Sequence, residues 1–200
     1  VEKQRVKSGM GHVVEYFHYV EDGYSHLASQ VLQAFSERYD IELICHLVMG
    51  PQGKNSAEPE LLLRLSRYDA FQVAADYSLN FPQHEDAPEP SLVKLASSIL
   101  AAQTSADFIE CAAHVGDALW SRDEARLLSL ADNLGRATDD ELARKLDVGT
   151  ARRSRLKHYS GAMFYYGEEW YWGVDRLYHL EKRLAGLGVD REQGQPMVLP

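Results

Sequence analysis

The chain has 200 residues, is 45% hydrophobic and carries a formal net charge of −9. That length supports one sizeable domain, or one domain with a large insertion. The acidic balance disfavours a nucleic-acid partner, which needs basic surface, and no apolar run approaches the ~18 residues of a membrane span.

The opening VEKQRVKSGMGH has no apolar h-region, so no secretory leader is expected. Residues 1–11 are set aside as a tail. Two cysteines occur, Cys45 and Cys111, far apart and outside any Cys-x-x-Cys pair. A reducing, cytoplasmic setting is expected rather than a disulfide scaffold.

Residues 12–20, HVVEYFHYV, are rich in β-branched and aromatic side chains and predict a buried strand. Glu21, Asp22 and Gly23 break it. Over 24–39, Leu27, Val31, Leu32 and Phe35 recur at helical spacing, which predicts one amphipathic helix. Residues 41–48, IELICHLV, predict a second strand. Strand, helix, strand at this spacing is a βαβ unit with a right-handed crossover. Loops are predicted over 50–59 and 80–90, on either side of a helix over 60–77. Helices are predicted near 91–103, 105–120, 122–134 and 139–158, with Ser105 and Thr138 as N-caps and Gly135 as a C-cap.

Two aromatic runs then flank a turn at Gly167-Glu168. Met163 and Tyr165, with Trp170 and Trp172, alternate as in a half-buried hairpin. Leu177, Leu180 and Leu184 predict a closing helix. From Asp190 no periodicity remains, which predicts a linker or mobile end. The order βαβ, helical run, ββα predicts a thioredoxin-like α/β fold with an all-helical insertion. Its two halves are residues 12–50 and 159–188, the insertion is 59–158, and 1–11 and 189–200 are tails.

Two stretches carry a family resemblance. Trp172-Gly173-x-Asp175-Arg176-Leu177, followed by Leu180-Glu181, resembles the end of the DsbA-like thioredoxin family. The branch is that of 2-hydroxychromene-2-carboxylate isomerase and kappa-class glutathione transferase. Residues 22–28, DGYSHLA, are similar to that branch's Ser-Pro-Tyr-Ser followed by Leu-Ala. Tyr24, Ser25, Leu27 and Ala28 match; Asp22 replaces the first Cys or Ser, and Gly23 replaces Pro. The resemblance spans about residues 12–188. It implies an active site where the first strand meets the first helix, with Asp22, Ser25 and His26 as catalytic residues. Ser25 would donate a hydrogen bond, and Asp22 or His26 would carry a proton. It also implies glutathione as cofactor, contacted by Tyr24, Ala162, Met163, Val174 and Asp175, and a homodimer by analogy. The family's cis-proline loop falls at Gly161-Ala162-Met163, which has no proline, so no cis bond is expected.

The Asp22 replacement has physical consequences. A helix N-terminus favours an anion and lowers the pKa of a cysteine placed there. Without that cysteine the chain performs no thiol–disulfide exchange of its own. A cofactor thiolate ~4 Å from an ionised Asp22 would be repelled by ~4 kcal/mol at an effective dielectric of ~20. That is roughly three pKa units in the wrong direction, against about 1–2 kcal/mol returned by a helix terminus. Asp22 reads first as a helix N-cap, one of its best positions, and otherwise as an acid–base group or a ligand-orienting group. Ser25 reads as a capping hydroxyl or a functional donor, and Asp175 as a cap of the last helix or a ligand contact.

His12 and His18 share one strand face, and His18, Glu21, Asp22 and His26 could assemble near one turn. No ligand spacing such as His-Glu-x-x-His accompanies them, so no metal is predicted. The hairpin aromatics could line a pocket for a flat ligand or pack on the sheet. Arg152, Arg153, Arg155, Lys157 and His158 form a basic patch, either a solvated helix face or an anion-binding edge. Two functions stand open. One is a glutathione-dependent isomerase or transferase acting on a small aromatic compound. The other is a non-catalytic thioredoxin-like binding or assembly module, perhaps half of a larger tandem protein.

Overall fold

A computed structural model describes residues 5, 7, 9–53, 58–83 and 86–199. Part of the predicted tail (1–4, 6 and 8), parts of both predicted loops (54–57 and 84–85) and residue 200 lie outside them.

Strand β1 (His12–His18) sits at the centre, with every residue but Val13 buried. Its buried polar residues find partners: Glu15 meets Arg152 and His46, and His18 meets the Tyr16 hydroxyl. The strand pairs in parallel with β2 (Ile41–Leu47), His12 opposite Ile41 and His18 opposite Leu47. It pairs antiparallel with β3 (Met163–Tyr166), Phe17 opposite Met163. With β4 (Glu169–Trp172) the sheet order is β2-β1-β3-β4. Gly167 and Glu168 both have left-handed φ, 56° and 68°. A two-residue hairpin loop of the primed type requires that conformation.

The predicted helix over 24–39 is two helices, α1 (Gly23–Ser29) and α2 (Leu32–Arg38). Between them, Gln30 N bonds Leu27 O and Val31 N bonds Ala28 O, the tighter i→i−3 pattern. The Gln30 side chain is held at both ends by the Asn80 backbone, which pulls the turn out of register. Leu27, Val31, Leu32 and Phe35 are all buried, so the periodicity reported the buried face and missed the break.

Five helices lie between β2 and β3: α3 (Pro59–Asp76), α4 (Pro90–Ala101), α5 (Ser105–Trp120), α6 (Glu124–Leu134) and α7 (Asp139–Arg155). Thr138 and Glu141 form a capping box at α7, and Gly135 ends α6 at φ 83°. Thr104, not Ser105, caps α5, through a bond from Asp107 N. Ser105 Oγ instead accepts from Cys45 N at 3.0 Å and ties α5 to β2. Helix α8 (Gly173–Gly186) buries Leu177, Leu180 and Leu184 as predicted. This is a thioredoxin-like α/β fold with an all-helical insertion.

One expectation is refined and one corrected. In the hairpin, Phe164, Tyr166 and Tyr171 face the main core, Met163 joins Phe17 and Val48 on the other face, and Trp172 is 51% exposed. The C-terminal segment is docked rather than loose. Arg38 pairs with Asp190 at 3.0 Å and donates to the carbonyls of Gln195 and Pro196. Val198 N donates to Glu181 Oε1 at 2.9 Å, and Leu199 is buried. Single apolar anchors and backbone bonds leave no periodic signature.

Candidate functional site

Strand β1 hands over to α1 through a tight turn in which Asp22 N bonds Tyr19 O at 3.1 Å. Asp22 thereby becomes the N-cap of α1, in extended conformation. Its Oδ2 accepts from Ser25 N at 3.1 Å and Ser25 Oγ at 2.9 Å, while Oδ1 accepts from Ser66 Oγ at 2.7 Å. The residue is 8% exposed, and no cation pairs with it among the described residues. Burial pushes its carboxyl above the usual aspartate value; the Ser66, Ser25 and backbone donors oppose this only in part.

Ser25 is fully buried. Its Oγ accepts from Tyr19 N at 3.1 Å and from Ala162 N at 2.9 Å, and donates to Asp22. A hydroxyl has one proton, so Ser25 has none left for a ligand. It ties β1, α1 and the β3 approach together, which differs from the expected donor role.

His26 points away from Asp22. Its Nε2 lies 3.3 Å from Asp117, its ring is 5.9 Å from Phe81, and a Cβ on Gly116 would lie 2.2 Å from Nδ1. His26 is the fourth residue of α1, and its ring packs on α5, where Asp117 and Gly116 lie. His18 bonds Tyr16 OH at 2.9 Å, and burial lowers its imidazole to about 3. Among the described residues, no group of three or more His, Cys, Asp or Glu could hold a metal ion.

The loop before β3 closes on the same turn. A Cβ on Gly161 would come within 2.7 Å of Tyr19 Cβ and 2.9 Å of Ser25 Oγ. Ala162 is buried at φ 51°, and its backbone O accepts from Gly173 N at 2.8 Å. Both polar groups of its backbone are therefore engaged within the protein. No peptide bond among the described residues is cis. Met163 and Val174 are buried in the two cores, so their side chains face no ligand.

Gly23 explains how α3 reaches the site. A Cβ there would lie 2.8 Å from Ala70 Cβ. Its absence lets α3 approach α1 and deliver Ser66 to Asp22 and Asp69 to the Tyr24 hydroxyl. The Tyr24 ring stands edge-on to Trp172 with centroids 5.9 Å apart. Asp175 is half exposed and pairs with Arg176 at 3.5 Å; it makes no side-chain cap bond to α8.

Above this turn opens a cavity of about 640 Å³, whose lining includes Tyr19, Asp22, Tyr24, Leu62, Tyr68 and Trp172. Sequence reasoning missed the α3 contribution, namely Ser66, Asp69 and the Leu62 wall. A signal existed: Leu61, Leu62, Leu65 and Tyr68 crowd one helix, yet its inward face is Arg67, Ala70 and Ala74. Leucines turned outward beside a cleft mark a lining.

No family model and no curated protein matches the chain. Solved structures do match it. A 2-hydroxychromene-2-carboxylate isomerase shares 18% identity, covering 88% of this chain and 96% of that one, with a TM-score of 0.59. A probable DsbA oxidoreductase from Streptomyces coelicolor shares 12% identity over 93% of this chain and 94% of that one, TM-score 0.60. The cytosolic disulfide reductase DsbM from Pseudomonas aeruginosa, solved with GSH, shares 18% identity over 88% and 97%, TM-score 0.56. At these identities the likeness shows the fold, and the chain has the thioredoxin-like fold of DsbA-like proteins. No helix among the described residues is long and apolar enough to cross a membrane.

Proposed function

We propose that this chain binds a small aromatic compound in the cleft above Asp22 and moves a proton on it, as an isomerase or transferase does, with Asp22 as proton carrier. One observation carries this reading: a buried carboxyl without a cation partner lies in an aromatic-walled cavity at the start of α1. A raised carboxyl pKa brings an acid toward the working pH, which general acid–base catalysis requires. Tyr and Trp rings with a few convergent polar groups suit a flat ligand. Dithiol exchange is not part of the reading. Burial pushes both thiols up, Cys111 to about 11, and neither lines the cleft.

Glutathione is the cofactor of this reading, and the cytoplasm its setting. The DsbM structure with GSH supports the first. So does the half-exposed Asp175 carboxylate at the start of α8, whose charge suits an ammonium group. An ionised Asp22 would oppose a thiolate, so removing its charge should tighten thiol binding. Calorimetric titration with glutathione tests this on three proteins. Wild type should bind, Asp175→Ala should bind more weakly and Asp22→Ser more tightly. Absence of heat in all three removes glutathione from the reading.

A second reading, a non-catalytic binding or assembly module, is favoured by the engagement of Ser25 Oγ and of both Ala162 backbone groups in internal bonds. It expects no turnover of any aromatic isomerase substrate and a stable partner in pull-down. Measured turnover would end it.

A further inference from the structure

Arg152 and Arg153 are adjacent on α7 and meet opposite fates. Arg152 closes on Glu15 with two hydrogen bonds, 2.8 and 2.5 Å. Arg153 is 2% exposed and has no carboxylate partner among the described residues. Its Nη1 donates to Ser160 O at 3.0 Å and its Nη2 to Met49 O at 2.8 Å, while the buried Nε–H has no partner among the described residues. A buried charge is normally paired or neutralised. Here burial alone acts on the guanidinium, lowering it to about 10, with no neighbouring anion to offset it.

Arg153 lines a second cavity, of about 290 Å³, together with Thr150, Ser154, Lys157 and His158; among the described residues no carboxylate lines it. His158 Nδ1 accepts from Ser160 N at 3.2 Å, which leaves the ring proton on Nε2 as a donor. The cavity lies at the C-terminal end of α7, where free carbonyls would repel an anion. They are not free. Arg152 O is capped by Leu156 N, Arg153 O by His158 N and Ser154 O by Lys157 N. Leu156 O accepts from Trp170 Nε1 at 3.2 Å. The cations therefore dominate the local field.

We infer that this pocket binds a compact oxyanion, a carboxylate or phosphate group, held by the unpaired Arg153 guanidinium with Lys157 and His158. Pro51 and Tyr159 line both this pocket and the Asp22 cleft. The two cavities are neighbours across those residues. The oxyanion is the acidic substituent of an aromatic ligand whose ring lies over Asp22; this part rests on the function proposed above. A substrate of this kind is an aromatic acid, with its acidic group set apart from the atom that exchanges a proton.

Titration calorimetry with inorganic phosphate, benzoate and phenol separates the two claims, using wild type, Arg153→Met, Lys157→Gln and Asp22→Asn. Phosphate should bind wild type and Asp22→Asn alike, about two- to fivefold more weakly to Lys157→Gln, and not detectably to Arg153→Met. Benzoate should bind wild type more tightly than phosphate or phenol does, and should lose that advantage in Arg153→Met. No phosphate binding by wild type at roughly 10 mM, beyond the range of weak sites, overturns the oxyanion pocket. Equal affinity of phosphate for wild type and Lys157→Gln does so too, and holds even if circular dichroism finds Arg153→Met unfolded. Phosphate binding with benzoate no tighter than phenol overturns the shared ligand and leaves a site for a free oxyanion. Failure of phenol alone counts against the Asp22 cleft and leaves the oxyanion pocket standing.

Discussion

Glu15 and Asp22 are both buried carboxylates, one inside β1 and one just past its end, and they answer burial in opposite ways. Glu15 receives Arg152 and His46, at 2.5 and 2.9 Å, and its carboxyl is held down at about 2 despite desolvation. Asp22 receives two hydroxyls and a backbone N–H, all neutral, and its carboxyl is pushed up. A carboxylate matched by the Arg152 cation and a His46 ring nitrogen ties elements together, here β1, β2 and α7. One met only by neutral donors keeps an unresolved charge, which suits proton transfer or an incoming ligand. The same contrast separates Arg152 from Arg153 on α7: one meets a carboxylate, the other only backbone carbonyls.

The largest effect expected is at Glu15. Glu15→Gln leaves Arg152 and His46 facing a neutral group and should lower stability by about 2–3 kcal/mol at pH 7 in urea unfolding. The pH dependence has a definite sign. A carboxyl depressed in the folded state contributes stability above its unfolded value, ~4.3, and loses it as pH falls toward about 2. Wild type should show that acid loss and Glu15→Gln should lack it. A variant as stable as wild type would make the ion pair a bystander.

Asp22→Asn sharpens the contrast with a smaller stability change of opposite sign. A carboxyl raised in the folded state opposes folding as pH rises past its unfolded value, ~3.9. Asn caps helices as well as Asp does, so at pH 7 the variant should gain up to about 1 kcal/mol and lose any turnover. Destabilisation by several kcal/mol would reduce Asp22 to a structural cap.

The smallest stability effect is at Trp172. The side chain is half exposed, so Trp172→Ala should change stability by no more than about 0.5 kcal/mol. It removes the ring that faces Tyr24, and an aromatic ligand should lose about tenfold in affinity, ~1.4 kcal/mol, read from a titration. An unchanged affinity would place the ligand elsewhere.

Composition and periodicity made most of the frame legible. Leu27, Leu32 and Phe35 on one side of α1 and α2, the Gly167-Glu168 turn, the Thr138 N-cap and the leucines of α8 all follow from local rules with strong signals. Asp22 was visible as a misfit at the start of α1, and its capping role follows from local preference. Its burial was not legible, because Ser66 comes from α3, forty-four positions along the chain. The Gln30 break, Ser25's bond to Ala162 N and His26's turn toward Asp117 likewise depend on segments far away in sequence.

What the chain alone determined is where its helices and strands fall and which residues could be acid, base or cation, because backbone preference and apolar spacing act over a few neighbouring positions. Which of those groups are neutralised and which stay unmatched was decided only when β1, α3, α7 and the loop before β3 came together. Charge pairing acts over a few ångströms in space, and only folding brings residues distant in the chain that close.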